Sequence, residues 1–428
     1  MLDRYTLPEM ENLWSDEYKF EKMLEVELAI CYAWNKLGKI KSSDLEKIEK
    51  GAKVDLPDIR KREEKSRHET IAFVESVASH IGSSGKYLHY GVTSSDVLDT
   101  AQALQIRDSL IILLSDTEKF SRVLIRKAKK YKYQQMVGRT HGMHAEPTTL
   151  GLKFLIWVYE LERVVKRLEN SIETISYGKI SGSVGTYSQI DPKVEALVCK
   201  KLKLKRSKVS SQIIQRDRYC DVIYAVTTLG NTLEKIATEI RHLHRTEINE
   251  IKEPFIEGQK GSSSMPHKKN PILCERICGL SRILRGNLSI CMENTNLWHE
   301  RDMSHSSAER IIIPDSLCLV HFMLSDISSV ICNLVVNKVQ MRENLQKEKG
   351  NIFSQSLMLL LISKGMEKKE AYELVQDISF NNTESFEQEL HSNTALKDLL
   401  TDKDIESITN LSSYTRHVDY IFDNFNNK

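Results

Sequence analysis

Residues 258–271 read GQKGSSSMPHKKNP. Two Gly, three consecutive Ser, two Pro and a Lys pair stand together in a chain with only 18 Gly and 8 Pro among 428 residues, Gly-poor against a usual ~7 %. Hydroxyls and an ammonium on a Gly-rich segment suit a lid that closes over an anionic substrate: the glycines let the backbone move, and Lys268 supplies a fixed charge. Pro271 suits the start of a helix carrying Glu275 and Ile277. A second loop, GRTHGMHAEPTT at 138–149, crowds Arg139, Thr140, His141 and His144 together. A lone His is more often structural than chemical, but two beside an Arg and a Thr favour proton transfer. Pro147 in that loop is expected in the first turn of the next helix. The third loop, HYGVTSSDVLDT at 89–100, sets Thr93 and Asp96 at capping-box spacing. A helix start with free N–H groups and hydroxyls is a ready site for a carboxylate or phosphate, although a plain N-cap is the commoner meaning of the pattern.

Long helices must position these loops. Phe154, Val158, Leu161, Val165, Leu168, Ile172 and Ile175 follow an alternating 4,3 spacing. Val222, Val226, Leu229, Leu233, Ile236, Ile240 and Leu243 repeat it, and a third seam runs Leu317, Val320, Leu324, Ile327, Ile331, Leu334. Shorter seams begin at Val97, Ala101, Leu104 and at Ile277, Leu280, Leu284. Such a/d seams pack side by side at shallow angles. The second, with its flanks about 30 residues, implies roughly 45 Å of helix, too long to be covered within one compact subunit, so a bundle shared by several subunits is expected. No run of alternating apolar and polar residues bounded by turn signals stands out, which argues against a substantial sheet. The expected class is all-α in three helical domains: shorter helices over 1–93, a long-helix bundle over 94–344 and a smaller polar helical domain over 345–428.

Composition removes other classes of function. A formal net charge of +2 gives no general basic excess for nucleic acid. The opening MLDRYTLPEMENLW has no apolar core, so it does not read as a signal peptide, and apolar runs as short as Leu110–Leu114 argue against a membrane span. Eight Cys are scattered without a paired CxxC. Cys274 and Cys278, four apart, could share a helix face toward a metal, but no second ligand pair accompanies them, and free thiols in a reducing cytoplasm are the expectation.

The three loops together resemble the fumarase/aspartase superfamily of lyases. Its signature SSxMPxKxNP is matched at every fixed position by Ser262-Ser263-Ser264-Met265-Pro266-His267-Lys268-Lys269-Asn270-Pro271. Within the superfamily, THGMHAEPT and His267 are most similar to the branch that acts on adenylosuccinate. The likeness runs from Arg4-Tyr5 through Arg67-His68, Thr93-Ser94, Gln212 and the signature to WHERDMSHSSAER at 298–310, and thins after about residue 365. The resemblance implies an all-α homotetramer whose bundles merge into one helical core, with each site built from three chains. It also implies nucleotide substrates, elimination of fumarate, no cofactor and no metal. It assigns Ser262 as base and His141 as acid, with Glu275 the partner of His141, and adds His68 and Lys268 to the catalytic set. Arg4, Tyr5, Arg301, Ser306 and Arg310 are implied for the phosphate and Gln212 for the dicarboxylate. Arg67, His89, Thr93, Ser94, Thr140, Ser263 and Asn270 complete the substrate contacts, together with Glu69, which stands where the superfamily branch usually has Asp.

β-Elimination removes a weakly acidic proton beside a carboxylate while a C–N bond breaks, so charge accumulates on that carboxylate in the transition state. Fixed cations and aimed N–H donors hold it, as an oxyanion hole does; Lys268, Asn270 and the Thr93-Ser94 helix start can supply them. A serine becomes a base only where solvent is excluded and dipoles stabilise the alkoxide. The residues alone leave open which of Ser262 and Ser263 reacts, and the resemblance points to the first. Another lyase of the superfamily, such as argininosuccinate lyase, and an inert structural bundle remain competing readings.

Overall fold

The computed structural model describes residues 3–381 and 385–426. Helices dominate. α1 (Asp16–Lys36) starts on Ser15, whose hydroxyl accepts the Tyr18 N–H, and α2 (Glu69–Ile81) follows a shorter helix at Leu56–Ser66. Five long helices come next: α3 (Ser94–Lys130), α4 (Leu150–Ile175), α5 (Asp217–His244), α6 (Ile272–Glu293) and α7 (Ser304–Cys332). Between α3 and α4 lies a hairpin of β1 (Gln135–Thr140) and β2 (Met143–Thr149). Two shorter ladders pair Tyr177–Gly178 with Lys205–Arg206 and Ile251–Lys252 with Val335–Val336. The all-α class expected from the seams holds.

The seams lie on these helices. In α5 all seven seam residues are at most 2 % exposed, each such side chain worth roughly 1.5–3 kcal/mol of transfer free energy. In α4 the pattern slips: Val165 and Ile172 are only half-buried, whereas Val164 is buried. Helix α7 has the length and apolarity of a membrane span, which the short apolar runs had argued against, but 61 % of its apolar window is buried within the protein. It also carries Pro314 internally, whose missing N–H leaves the Arg310 carbonyl without its helical donor.

The chain groups into two compact units. The first comprises Met1–Lys119, Leu161–Lys235 and Arg276–Ile327, and the second Phe120–Glu160, Ile236–Glu275 and Ser328–Lys428. In the first unit a core gathers Phe20, Met23, Ile30, Phe73, Val97 and Leu104, with Phe20 and Phe73 stacked at 5.6 Å. In the second, Leu357, Leu361, Ala371, Phe386 and Ile405 cluster among the C-terminal helices, and Val137 of the hairpin packs with Leu345 and Ile352.

Candidate active site

In the first unit, the corner between Leu56–Ser66 and α2 presents the Arg67-His68-Glu69 run. Arg67 ends the earlier helix in the left-handed region at φ +53°. His68 caps α2, its Nδ1 accepting the Ile71 N–H at 3.3 Å, so the neutral ring carries its proton on Nε2; the side chain is exposed. Glu69, one residue later, turns inward and meets two cations. Its carboxylate accepts both Nη groups of Arg310 at 3.1 and 3.0 Å and pairs with Lys19. Burial pushes the Glu69 carboxyl up, but Arg310 and Lys19 together outweigh it and hold the pKa below the usual value.

Glu69, Arg301, Ser306 and Arg310 line one cavity of about 220 Å³. Asp99, Arg216, His305 and Glu309 line it too, in a buried network that the sequence reading did not find. Arg216 donates to both oxygens of Asp99 at 2.9 Å and pairs with Glu309 at 3.0 Å. Arg301 donates to His305 Nε2 at 3.3 Å and to Gln212 Oε1 at 3.1 Å. His305 Nδ1 in turn lies 3.3 Å from the Arg216 guanidinium and 3.0 Å from Glu309 Oε2, so both ring nitrogens face an arginine. The i,i+4 His-Glu pair within HSSAER was the available clue. Arg4 is exposed in a short 3₁₀ turn, and Tyr5 packs edge-on against Phe322 at 5.6 Å.

At the start of α3, Thr93 donates its N–H to Asp96 Oδ2 at 2.8 Å, one arm of the expected box. Asp96 does more than cap. Both its side chain and that of Lys179 are fully buried and paired at 2.5 Å, and Asp96 also accepts the N–H groups of Ser181 and Gly182 at 3.0 and 3.2 Å. His89, at φ +58°, is held by the buried Glu27 through its N–H at 2.8 Å and its Nδ1 at 2.6 Å. Burial disfavours the charged ring, but Glu27 outweighs it and the pKa is raised.

In the second unit the histidine loop is the β1–β2 hairpin. Thr140 pairs with Met143, leaving His141 and Gly142 as a two-residue turn with φ +53° and +80°, the doubly positive geometry of tight hairpins. His141 is therefore displayed at an exposed tip. Pro147 is not in a helix: it lies buried in β2 opposite Val137, ahead of α4. A two-stranded ribbon has only edges, where a missing N–H costs little. Arg139 donates twice to the buried Glu250, at 3.0 and 2.8 Å, and Asn344 adds a further bond to it at 2.8 Å. His144 has its pKa lowered by burial and by Arg139.

The signature loop belongs to this unit. Ser262 Oγ accepts the N–H groups of Ser264 and Met265 at 3.3 and 3.1 Å. Asn270 Nδ2 donates to the Gly261 carbonyl at 2.9 Å, closing the neck of the loop. Only Gly fits at 261, because a Cβ there would lie 1.9 Å from the Lys268 carbonyl oxygen. Lys268, Asn270 and Glu275 line a single cavity of about 750 Å³. Five cations line it, Arg241, Arg245, Lys252, Lys268 and Lys269, against one carboxylate, Glu275. Ser262, Ser263, Thr140 and His141 do not line that cavity, nor do His68, Arg67, Thr93 or Gln212 line the first unit's cavity.

A helical fold with this loop defines a class, and the family model described as "Lyase" matches residues 4–286. A second, "Adenylosuccinate lyase C-terminus", matches residues 350–425. The chain belongs to the adenylosuccinate lyase family. It is 45 % identical over 428 residues to the adenylosuccinate lyase of Thermotoga maritima, covering 99 % of both chains. It is also 45 % identical to that of Aquifex aeolicus, over 99 % of this chain and 98 % of the other. Among solved structures, a fumarate lyase from Mesorhizobium sp. BNC1 shares the fold at a TM-score of 0.89 and 24 % identity, over 98 % of this chain and 99 % of that one. The 3-carboxy-cis,cis-muconate lactonizing enzyme of Pseudomonas putida matches at 0.89 and 25 %, over 97 % and 95 %.

Proposed function

We infer that the protein is a fumarate-releasing C–N lyase that cleaves adenylosuccinate to AMP and fumarate, and that it performs the same elimination on the succinyl-carboxamide ribotide of purine synthesis. The observation that carries this is 45 % identity to curated adenylosuccinate lyases along the whole chain, because the signature loop alone is shared across lyases of different substrates. Ser262 takes the proton from the carbon beside the carboxylate, the released electron pair forms the double bond of fumarate, and the C–N bond breaks as His141 protonates the leaving nitrogen. Glu275 orients His141 and keeps it charged. Lys268 and Asn270 hold the charge that builds on the carboxylate; the five cations of their cavity support that role. Arg301, Ser306 and Arg310, with Arg4 and Tyr5, take the phosphate; the lining of the first unit's cavity supports the first three.

The working form is a cytoplasmic homotetramer with each site drawn from three chains, needing neither cofactor nor metal and binding neither nucleic acid nor membrane. Large apolar side chains exposed on the long helices support the subunit packing, among them Ile156 at 57 %, Tyr224 at 51 % and Ile283 at 48 %. The match of the C-terminal family model to residues 350–425 supports 345–428 as a separate domain. The test is direct: purified protein should release fumarate from adenylosuccinate, followed by absorbance, and Ser262→Ala should bind substrate without turning it over. Turnover of argininosuccinate in place of adenylosuccinate, or no fumarate at all, overturns the reading.

A further inference from the structure

Helix α6 begins directly after the signature loop. The residue before Ile272 is Pro271, which has no side-chain acceptor, and Asn270 donates its Nδ2 back to the Gly261 carbonyl. An α-helix leaves its first N–H groups without partners, and a start this close to reacting groups needs them satisfied. The acceptor comes from elsewhere in the chain. Glu253, only 5 % exposed, places Oε1 at 2.7 Å from the Cys274 N–H and Oε2 at 3.2 Å from the Leu273 N–H. A carboxylate there also complements the positive end of the helix dipole.

Glu253 is itself anchored. Its N–H donates to His244 Nδ1 at 3.3 Å, and the His244 ring hydrogen-bonds the backbone of Lys269. His244 is the last residue of α5. The end of α5, the segment after Ile251–Lys252, the neck of the signature loop and the first turn of α6 are thus joined through two side chains. The first turn of α6 carries Glu275, and the neck carries Lys268 and Asn270.

We propose that Glu253 is a positioning residue for the elimination: it caps α6 across the chain, with His244 as its brace, and so fixes Glu275 and the Lys268–Asn270 neck. This rests on the proposed function, in which Lys268 and Asn270 act on the substrate and Glu275 acts on His141. Glu253 touches no reacting atom; it acts through the backbone of Leu273 and Cys274. Because the carboxylate occupies these N–H groups, the start of α6 offers none to a substrate anion.

The experiment compares Glu253→Ala and Glu253→Gln in the full-length protein by steady-state fumarate release and by amide hydrogen exchange. A geometric slip at a catalytic group costs on the order of 100-fold, so Glu253→Ala should lose about that factor in kcat with KM nearly unchanged, while exchange accelerates at Leu273 and Cys274. Glu253→Gln keeps an acceptor oxygen and should regain most of the lost kcat. Should Glu253→Ala fail to fold, Glu253→Gln and the shortened Glu253→Asp carry the comparison, and Asp should be the worse of the two. A kcat near wild type despite fast exchange at both amides shows the cap to be structural only. Unchanged exchange shows that the cap does not hold the helix start. Either result overturns the proposal. A wild-type protein that releases no fumarate sinks the proposed function instead, and the exchange measurement still decides whether Glu253 caps α6.

Discussion

Lys179→Met isolates one buried charge. Lys179 and Asp96 are both wholly out of solvent, paired at 2.5 Å, with the ammonium also donating to the Gly182 carbonyl at 2.9 Å. Met preserves most of the volume and removes the charge. Asp96 would keep the N–H groups of Thr93, Ser181 and Gly182 but lose its counter-ion, and breaking a buried pair this way costs about 3–5 kcal/mol. At roughly 2.1 cal/mol/K of unfolding entropy per residue, a cooperative chain of this length loses about 1 °C per kcal/mol, so calorimetry should find Tm lower by about 3–5 °C. The same variant should lower kcat/KM, since Asp96 orders the Thr93–Ser94 turn. Adding Asp96→Asn removes the stranded charge, so the double variant should melt above Lys179→Met alone. A single variant within about 1 °C of wild type, or a double variant no better than the single, refutes the reasoning that the pair is held by mutual charge.

Two further outcomes bear on the site. Lys268→Ala should lower kcat by at least ~100-fold if the ammonium stabilises transition-state charge, and near-normal turnover would reduce it to a solvated loop residue. Inactive His141→Gln and Ser262→Ala proteins, refolded together, should recover activity in roughly a quarter of sites if the two residues reach one site from different subunits. Simple mixing should restore nothing, and a co-refolded tetramer without activity would place both residues on one chain.

Periodicity suffices to place the long helices because an a/d seam is a local pattern with a direct steric meaning. The α5 seam is buried along its whole length. The hairpin at 135–149 escaped the same reading: its strands carry Gly138 and Pro147, and its turn is His141-Gly142 where Asn-Gly would have announced it. The signature loop was legible for the opposite reason, since Gly, Ser, Pro and Lys rarely gather in a chain of this composition. The buried charges were not legible. Lys179, Arg216, Glu250 and Glu253 look like solvated residues in the sequence, and only the fold supplies Asp96, Asp99, Arg139 and the Leu273–Cys274 backbone as partners.

Those buried partners change where anion stabilisation must come from. A bare helix start offers N–H groups and about half a positive charge to a ligand. Here, at α3, the Thr93 N–H is taken by Asp96. At α2 the Ile71 N–H is taken by His68, and at α6 two N–H groups are taken by Glu253. Carboxylates at α3 and α6 also offset the dipoles they cap. Side chains therefore supply positive charge for a substrate anion beside whatever N–H groups these acceptors leave. In the second unit five cations face a cavity with Glu275 as the only acid. In the first, the buried Arg216 pairs with both Asp99 and Glu309, and Asp16 pairs with Arg60. With Asp16 set against Arg60, the four cations Lys19, Arg216, Arg301 and Arg310 face the three carboxylates Glu69, Asp99 and Glu309, an excess of one positive charge. A cation on a side chain can be aimed and can move with a loop, whereas a helix terminus can do neither. That is the physical reason for Lys268 to sit on the Gly- and Ser-rich segment rather than at the start of the helix that follows it.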